Sequence, residues 1–152
     1  MPPGPGPHHL PLVRAMVRLS WAQGAYFAAA GLWPLVHMRS FERITGPKRE
    51  KWLVETVGAV VLAIGGTLLL AARRGDTSPP VRTLGLGSAA ALAAIELRYG
   101  FAGEVSPVYL ADALVELGLV AGWALAPRPG SHRVPRTPVP RGAAAPPWTL
   151  RE

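Results

Sequence analysis

Four acidic residues sit where acids are costly. Glu55, Glu96, Asp112 and Glu116 lie inside or at the ends of long apolar runs. Asp112 and Glu116 are four residues apart and share one helix face, with Trp123 further along it. A second stripe at steps of three and four joins Ser20, Gln23, Ala30, Trp33 and His37, with Tyr26 beside it. Carboxylates gathered with a histidine support three chemistries. They can bind a divalent metal through oxygen and nitrogen. They can form a proton relay, because crowded carboxyls hold protons that isolated ones give up. They can also hold a cationic or polyhydroxylated ligand beneath an aromatic rim, here Trp33, Trp52, Tyr99 and Tyr109. No HExxH, paired ExxH, P-loop or G-x-S-x-G is present, so no residue is assigned a catalytic role and no cofactor is implied. The chain has no Cys, which excludes a disulfide framework, a Cys zinc site and a thiol nucleophile.

The elements that must position these groups are marked by proline. Of 17 prolines, five precede residue 12, seven follow residue 126, and only Pro34 interrupts an apolar run. Proline ends helices, so the gaps between prolines are the candidate helices. Residues 19–36 carry no charge and residues 52–72 carry only Glu55. Residues 81–97 are shorter and Ala-rich, with Gly85 and Gly87; residues 108–126 include Asp112 and Glu116. A helix crosses a bilayer core in about 20 residues. Charged residues make up only 16% of the 152, against about 25% in soluble domains. The reading is an all-α, four-helix transmembrane bundle, up-down-up-down, over residues 17–126. Its spans fall near 17–37, 52–72, 81–99 and 107–126. Residues 1–16 read as a disordered Pro/Gly-rich leader and residues 127–152 as a disordered basic tail.

In that topology the end of the first span, the start of the second, the end of the third and the start of the fourth meet at one membrane face. His37, Glu55, Glu96, Asp112 and Glu116, with Trp33 and Tyr109, then form one candidate ligand-binding cluster facing inward, and the opposite end of the bundle is expected to be nearly dry. Facing lipid would cost about 2.5–3.5 kcal/mol per charge near the bilayer centre. The structural alternative is that the acids pair with Arg98, Lys51 or Arg43 at the interface. Gly118 and Gly122 form a GxxxG, and Gly58, Gly65 and Gly66 offer similar close approach.

The net charge of +7 is spread over membrane-flanking segments, and no nucleic-acid module is visible, so no nucleic-acid partner is expected. Membrane lipids are the expected partners, with a small ligand in the bundle; no oligomeric state follows. Lys and Arg number ten on the side of the termini and six on the other. The positive-inside rule then places both termini in the cytoplasm, for a multi-pass protein of the inner (plasma) membrane. Between the first two spans, Phe41 and Ile44 are suited to anchor a short interfacial helix, with Arg39, Glu42 and Arg43 toward water.

The stretch from Gly31-Leu-Trp-Pro-Leu-Val-His37 through Arg39-Ser-Phe-Glu-Arg-Ile-Thr-Gly-Pro-Lys48 to Trp52-Leu-Val-Glu-Thr-Val-Gly58 is similar to small bacterial four-span membrane proteins of uncharacterised function. Ser106-Pro-Val-Tyr-Leu-Ala-Asp-Ala-Leu-Val-Glu116 resembles their last span. The resemblance covers about residues 19–126 and implies a four-helix membrane domain in a bacterium, with no activity attached. Two functions follow as expectations. One is a non-enzymatic membrane module that binds a ligand or lipid or serves as an accessory subunit. The other is a small membrane enzyme or proton-coupled carrier that uses the acidic cluster.

Overall fold

The computed structural model describes residues 10–126. Over these the chain is all-helical, with no strand. Its four helices are α1 (Leu10–Thr45), α2 (Lys51–Arg74), α3 (Pro79–Phe101) and α4 (Val108–Leu125). The prolines mark these limits closely: Pro79 opens α3 in its first turn, where a missing amide proton costs nothing, and Pro107 immediately precedes α4. Gly75 ends α2 in the left-handed conformation at φ 65°. Its amide and that of Asp76 reach back to Ala72 O and Ala71 O, closing the last turn.

α1 is longer than its uncharged core. It begins at Leu10, so residues 10–16, read from the sequence as part of a disordered leader, are helical instead. Met16 is fully buried there and joins a cluster with Leu68, Ala71, Val81 and Trp123. Residues 1–9 and the tail from 127 onward lie outside the described residues. At its other end α1 bends at His37 (φ −145°, ψ 65°), three residues after Pro34. The helix resumes over residues 38–45, where the sequence calls for an interfacial segment.

α1 packs most extensively on α2, and α3 on α4; the two hairpins meet along narrower seams between α1 and α4 and between α2 and α3. Glycine makes the first hairpin tight. Gly24 and Gly31 on α1 face Gly65 and Gly58 on α2, seven residues apart in each helix. A Cβ on Gly31 would stand 2.5 Å from Gly58 O, and one on Gly65 2.5 Å from Ala28 N. The backbones touch, as small-residue seams between apolar helices allow. Gly66 and Gly118, by contrast, face open space, and Gly122 approaches only Leu19, so the GxxxG of α4 is not a helix–helix seam of this bundle.

The bundle is apolar outside and partly polar inside. Val57, Val60 and Leu70 on α2, Ile95 on α3, and Leu114, Val115 and Leu125 on α4 are exposed, whereas Ser20, Gln23, Glu96 and Glu116 are buried. α2 and α4 are long and apolar enough to cross a membrane. Among the described residues, α1 and α3 are not apolar enough by the same measure: Ala, Gly, Ser and Gln fill much of their length and contribute little transfer energy.

Candidate functional site

The inward stripes decide which acids meet. On α3 the buried positions are Val81, Gly85, Ala89, Ala93 and Glu96; on α4 they are Ala113, Glu116 and Trp123. Glu96 and Glu116 therefore occupy core positions of their helices. Glu116 is 1% exposed and Glu96 9%. Asp112, one turn before Glu116, is half-buried and accepts a hydrogen bond from the Tyr26 hydroxyl of α1. It is the carboxylate neighbour that Glu96 and Glu116 share.

These groups line a half-open cavity of about 320 Å³ to which all four helices contribute. Its acidic side is Glu96, Asp112 and Glu116; its apolar side includes Phe27, Val57, Gly58 and Leu92. Glu96 Oε2 and Glu116 Oε2 are buried without a hydrogen-bond partner. Among the described residues Lys51 and Glu42 form an ion pair, at 3.0 Å in the first loop region; no Lys or Arg among them pairs with the three acids. Lys48 reaches the cavity's edge, but its Nζ donates to Thr45 O at 3.0 Å and stands 4.9 Å above the Tyr109 ring. The pairing with Arg98, Lys51 or Arg43 anticipated as the structural alternative is not formed by these acids.

A second cavity, about 580 Å³, lies beside the first along the seam of α1 and α4, between Ala29, Ala30 and Trp33 on one helix and Ala111 and Val115 on the other. Tyr26, Tyr109 and Asp112 line both cavities. The Tyr26–Asp112 hydrogen bond thus stands in the wall between an outward-facing groove and the acid-lined interior.

Two residues of the sequence-derived cluster lie elsewhere, and a third is only at its edge. Glu55 is exposed and lines neither cavity. The inward stripe of α2 runs through Val54, Gly58, Val61, Gly65, Leu68 and Ala72, so Glu55 is turned about 100° off it. His37 is exposed as well. It caps the resumed helix: its Nδ1 accepts the Ser40 amide at 3.1 Å and its carbonyl accepts the Ser40 hydroxyl at 3.0 Å. Trp33 lines only the outer groove. Its indole N–H donates to Ser40 Oγ at 2.7 Å and its ring meets Phe41 edge-on, which braces the bend at His37. Tyr109 does join the acids, at the mouth of the cavity.

The expectation of a nearly dry opposite half also needs correction. One turn before Tyr26, Gln23 is fully buried. Its Nε2 donates to Gly85 O at 2.9 Å and to Ser88 Oγ at 3.2 Å, and its Oε1 accepts the Trp123 indole N–H at 2.5 Å. Trp123 fits because position 85 is glycine: a Cβ there would lie 2.5 Å from the indole ring. Ser20 Oγ is buried with no partner. The stripe of polar residues on α1 had signalled Gln23, but its partners are 62 and 100 residues away and no local spacing reveals them.

No group of three or more His, Asp or Glu among the described residues is arranged to hold a metal ion. Searches against models of protein families, curated proteins and solved structures found no match to this chain.

Proposed function

We propose that this chain is a small four-span bacterial membrane protein that binds a small ligand in the acid-lined cavity between its helices. The observation that carries the reading is Glu116: a carboxyl group 1% exposed, with Oε2 unpartnered, on the wall of a 320 Å³ cavity. An orphaned buried acid costs several kcal/mol relative to a paired one. A chain that only needed to pack would place Leu or Met there. The cavity is at the small end of the range for ligand sites, and it combines apolar walls with a few convergent polar groups, as such sites do.

The membrane part of the proposal rests on the inverted distribution of side chains. Isolated exposed apolar residues are ordinary on soluble proteins, but here apolar side chains cover the outer faces of α2 and α4 while acids, Gln and Ser occupy the interior. Hydrocarbon surroundings account for both halves of that pattern. The α1 and α3 helices join the bundle by packing on the two apolar ones. A proton-coupled carrier is favoured as second reading by one feature, the outer groove that shares Tyr26 and Asp112 with the cavity.

Carbonate extraction of native membranes tests the location, with the chain expected in the pellet; recovery in the supernatant ends the membrane reading. Native mass spectrometry of the purified chain tests the site. A bound small molecule is expected in the wild type and absent from a Leu92→Trp variant, which puts an indole on the partly buried wall of the cavity. Equal occupancy in both would place the ligand elsewhere.

A further inference from the structure

Three carboxyl groups share one small cavity with no cation against them. Glu96 and Glu116 each leave an oxygen buried and unpartnered there, and Asp112 accepts from the Tyr26 hydroxyl and shares a side-chain hydrogen bond with Glu96. The cavity is electrically one-sided. A cation entering among the acids would satisfy the orphaned oxygens directly. The remaining walls say what kind of cation. A metal or alkali ion needs a shell of several oxygens; here Phe27, Val57 and Leu92 face the acids instead. One charged head for the acids and one apolar body for the opposite wall match both sides of the cavity. Tyr109 at the mouth adds an aromatic face of the kind that attracts cations, already covered in part by Lys48 at 4.9 Å.

The groove between α1 and α4 supplies the route. It opens through Ala29, Ala111 and Val115, all exposed on the outside of the bundle, and ends at Tyr26 and Asp112. Ala30, Phe41 and Tyr109 line both as well, so opening the Tyr26–Asp112 hydrogen bond would widen one part of the shared wall between groove and cavity.

Resting on the ligand-binding role of this cavity, we propose that its occupant is an organic monocation, an ammonium head on a small apolar body, admitted from the α1–α4 groove when the Tyr26–Asp112 hydrogen bond opens. The ammonium sits among Glu96, Asp112 and Glu116, and the body lies against Phe27, Val57 and Leu92. The head could belong to a free amine or to an amine-bearing lipid, and the chemistry recognised is the same.

The test uses the full chain in a non-ionic detergent, with phenethylammonium as probe and phenethyl alcohol as its uncharged counterpart, both read by calorimetry. Phenethylammonium should bind at least tenfold more tightly than the alcohol. Glu116→Gln should weaken the cation at least tenfold and leave the alcohol within about twofold. Tyr26→Phe should speed association of the cation severalfold, and Lys48→Gln should tighten it. Where the probe binds, phosphatidylethanolamine added to the micelles should compete with it if the natural head belongs to a lipid, and a free-amine source predicts no competition. If the alcohol binds as well as the cation, and Leu92→Trp abolishes both, the cavity is a ligand site but the cation assignment falls. If neither probe binds wild type, or Leu92→Trp affects neither, the cavity reading falls with it.

Discussion

Two polar layers lie about two helical turns apart inside the same bundle, and they differ in hydrogen-bond accounting. Around Gln23 every side-chain amide group is used: two donors reach Gly85 O and Ser88 Oγ, and the acceptor takes the Trp123 indole N–H. A glycine is placed so that the indole can come close. Around Glu116 the reverse holds: acids line a cavity, oxygens go unpartnered, and no cation faces them. Burial alone does not distinguish the two, since Gln23 and Glu116 are 0% and 1% exposed. The difference is satisfaction. A closed polar layer specifies how helices pair, and the open one is where the proposed ligand would supply the missing partners.

That contrast breaks most visibly at Trp123. Trp123→Ala should destabilise by about 3–5 kcal/mol, since it empties a fully buried aromatic site and strands Gln23 Oε1. Thermal unfolding in detergent would read the loss, and an unchanged midpoint would mean the Gln23 layer does not hold the bundle together. Next in size, Gly85→Ala should cost about 1–3 kcal/mol by overpacking, because the added methyl meets the rigid indole rather than a flexible chain end. A cost near zero would show that the two helices separate easily there.

The open layer should respond in the opposite direction. Glu116→Met removes an unpartnered buried acid and fills similar volume, so the variant should be at least as stable as wild type, by up to about 1 kcal/mol, while ligand binding is lost. If Glu116→Met instead destabilises as strongly as Gly85→Ala, Glu116 has a structural partner and the contrast between the layers disappears.

How far the sequence revealed this arrangement follows from the range of each signal. Helix limits were legible because proline and glycine act on their own backbone: Pro79, Pro107 and Gly75 sit at ends they create. The inward direction of Glu116 was legible because Asp112 and Glu116 are spaced to share a face, and lipid exposure would be costly. Glu55 misled because lying near a span end does not fix rotation about the helix axis; that is set by Gly58 and Gly65 against α1, which a single helix does not display. His37 misled for a local reason. Pro34 and the bend turn it into a cap, with its ring nitrogen committed to the Ser40 amide. The Gln23–Trp123 pair depends on helices α1 and α4 meeting, so its hydrogen bond is information that exists only after folding.

The smallest expected effect concerns an acid that has what Glu116 lacks. Glu42, on the resumed segment of α1, accepts a hydrogen bond from Lys51 Nζ at 3.0 Å and another from the Lys48 amide at 3.1 Å. The Lys51 bond, and after it the Lys48 amide, holds the Glu42 carboxyl below its ordinary range. A carboxyl depressed in the folded chain stabilises that chain above its unfolded value, about 4.3, and the contribution fades as pH falls through the lower folded value. The first loop should therefore be indifferent to pH between about 7 and 5 and loosen only in more acidic solution. The side-chain chemical shift of Glu42 should titrate below a free glutamate, and Lys51→Met should move that midpoint upward by removing the largest cause. Because the pair lies at the surface, its effect on global unfolding should be too small to resolve. A Glu42 midpoint at the free value, unmoved by Lys51→Met, would mean that the loop pair does not persist in solution, and that Glu42, like Glu116, has no lasting partner within the chain.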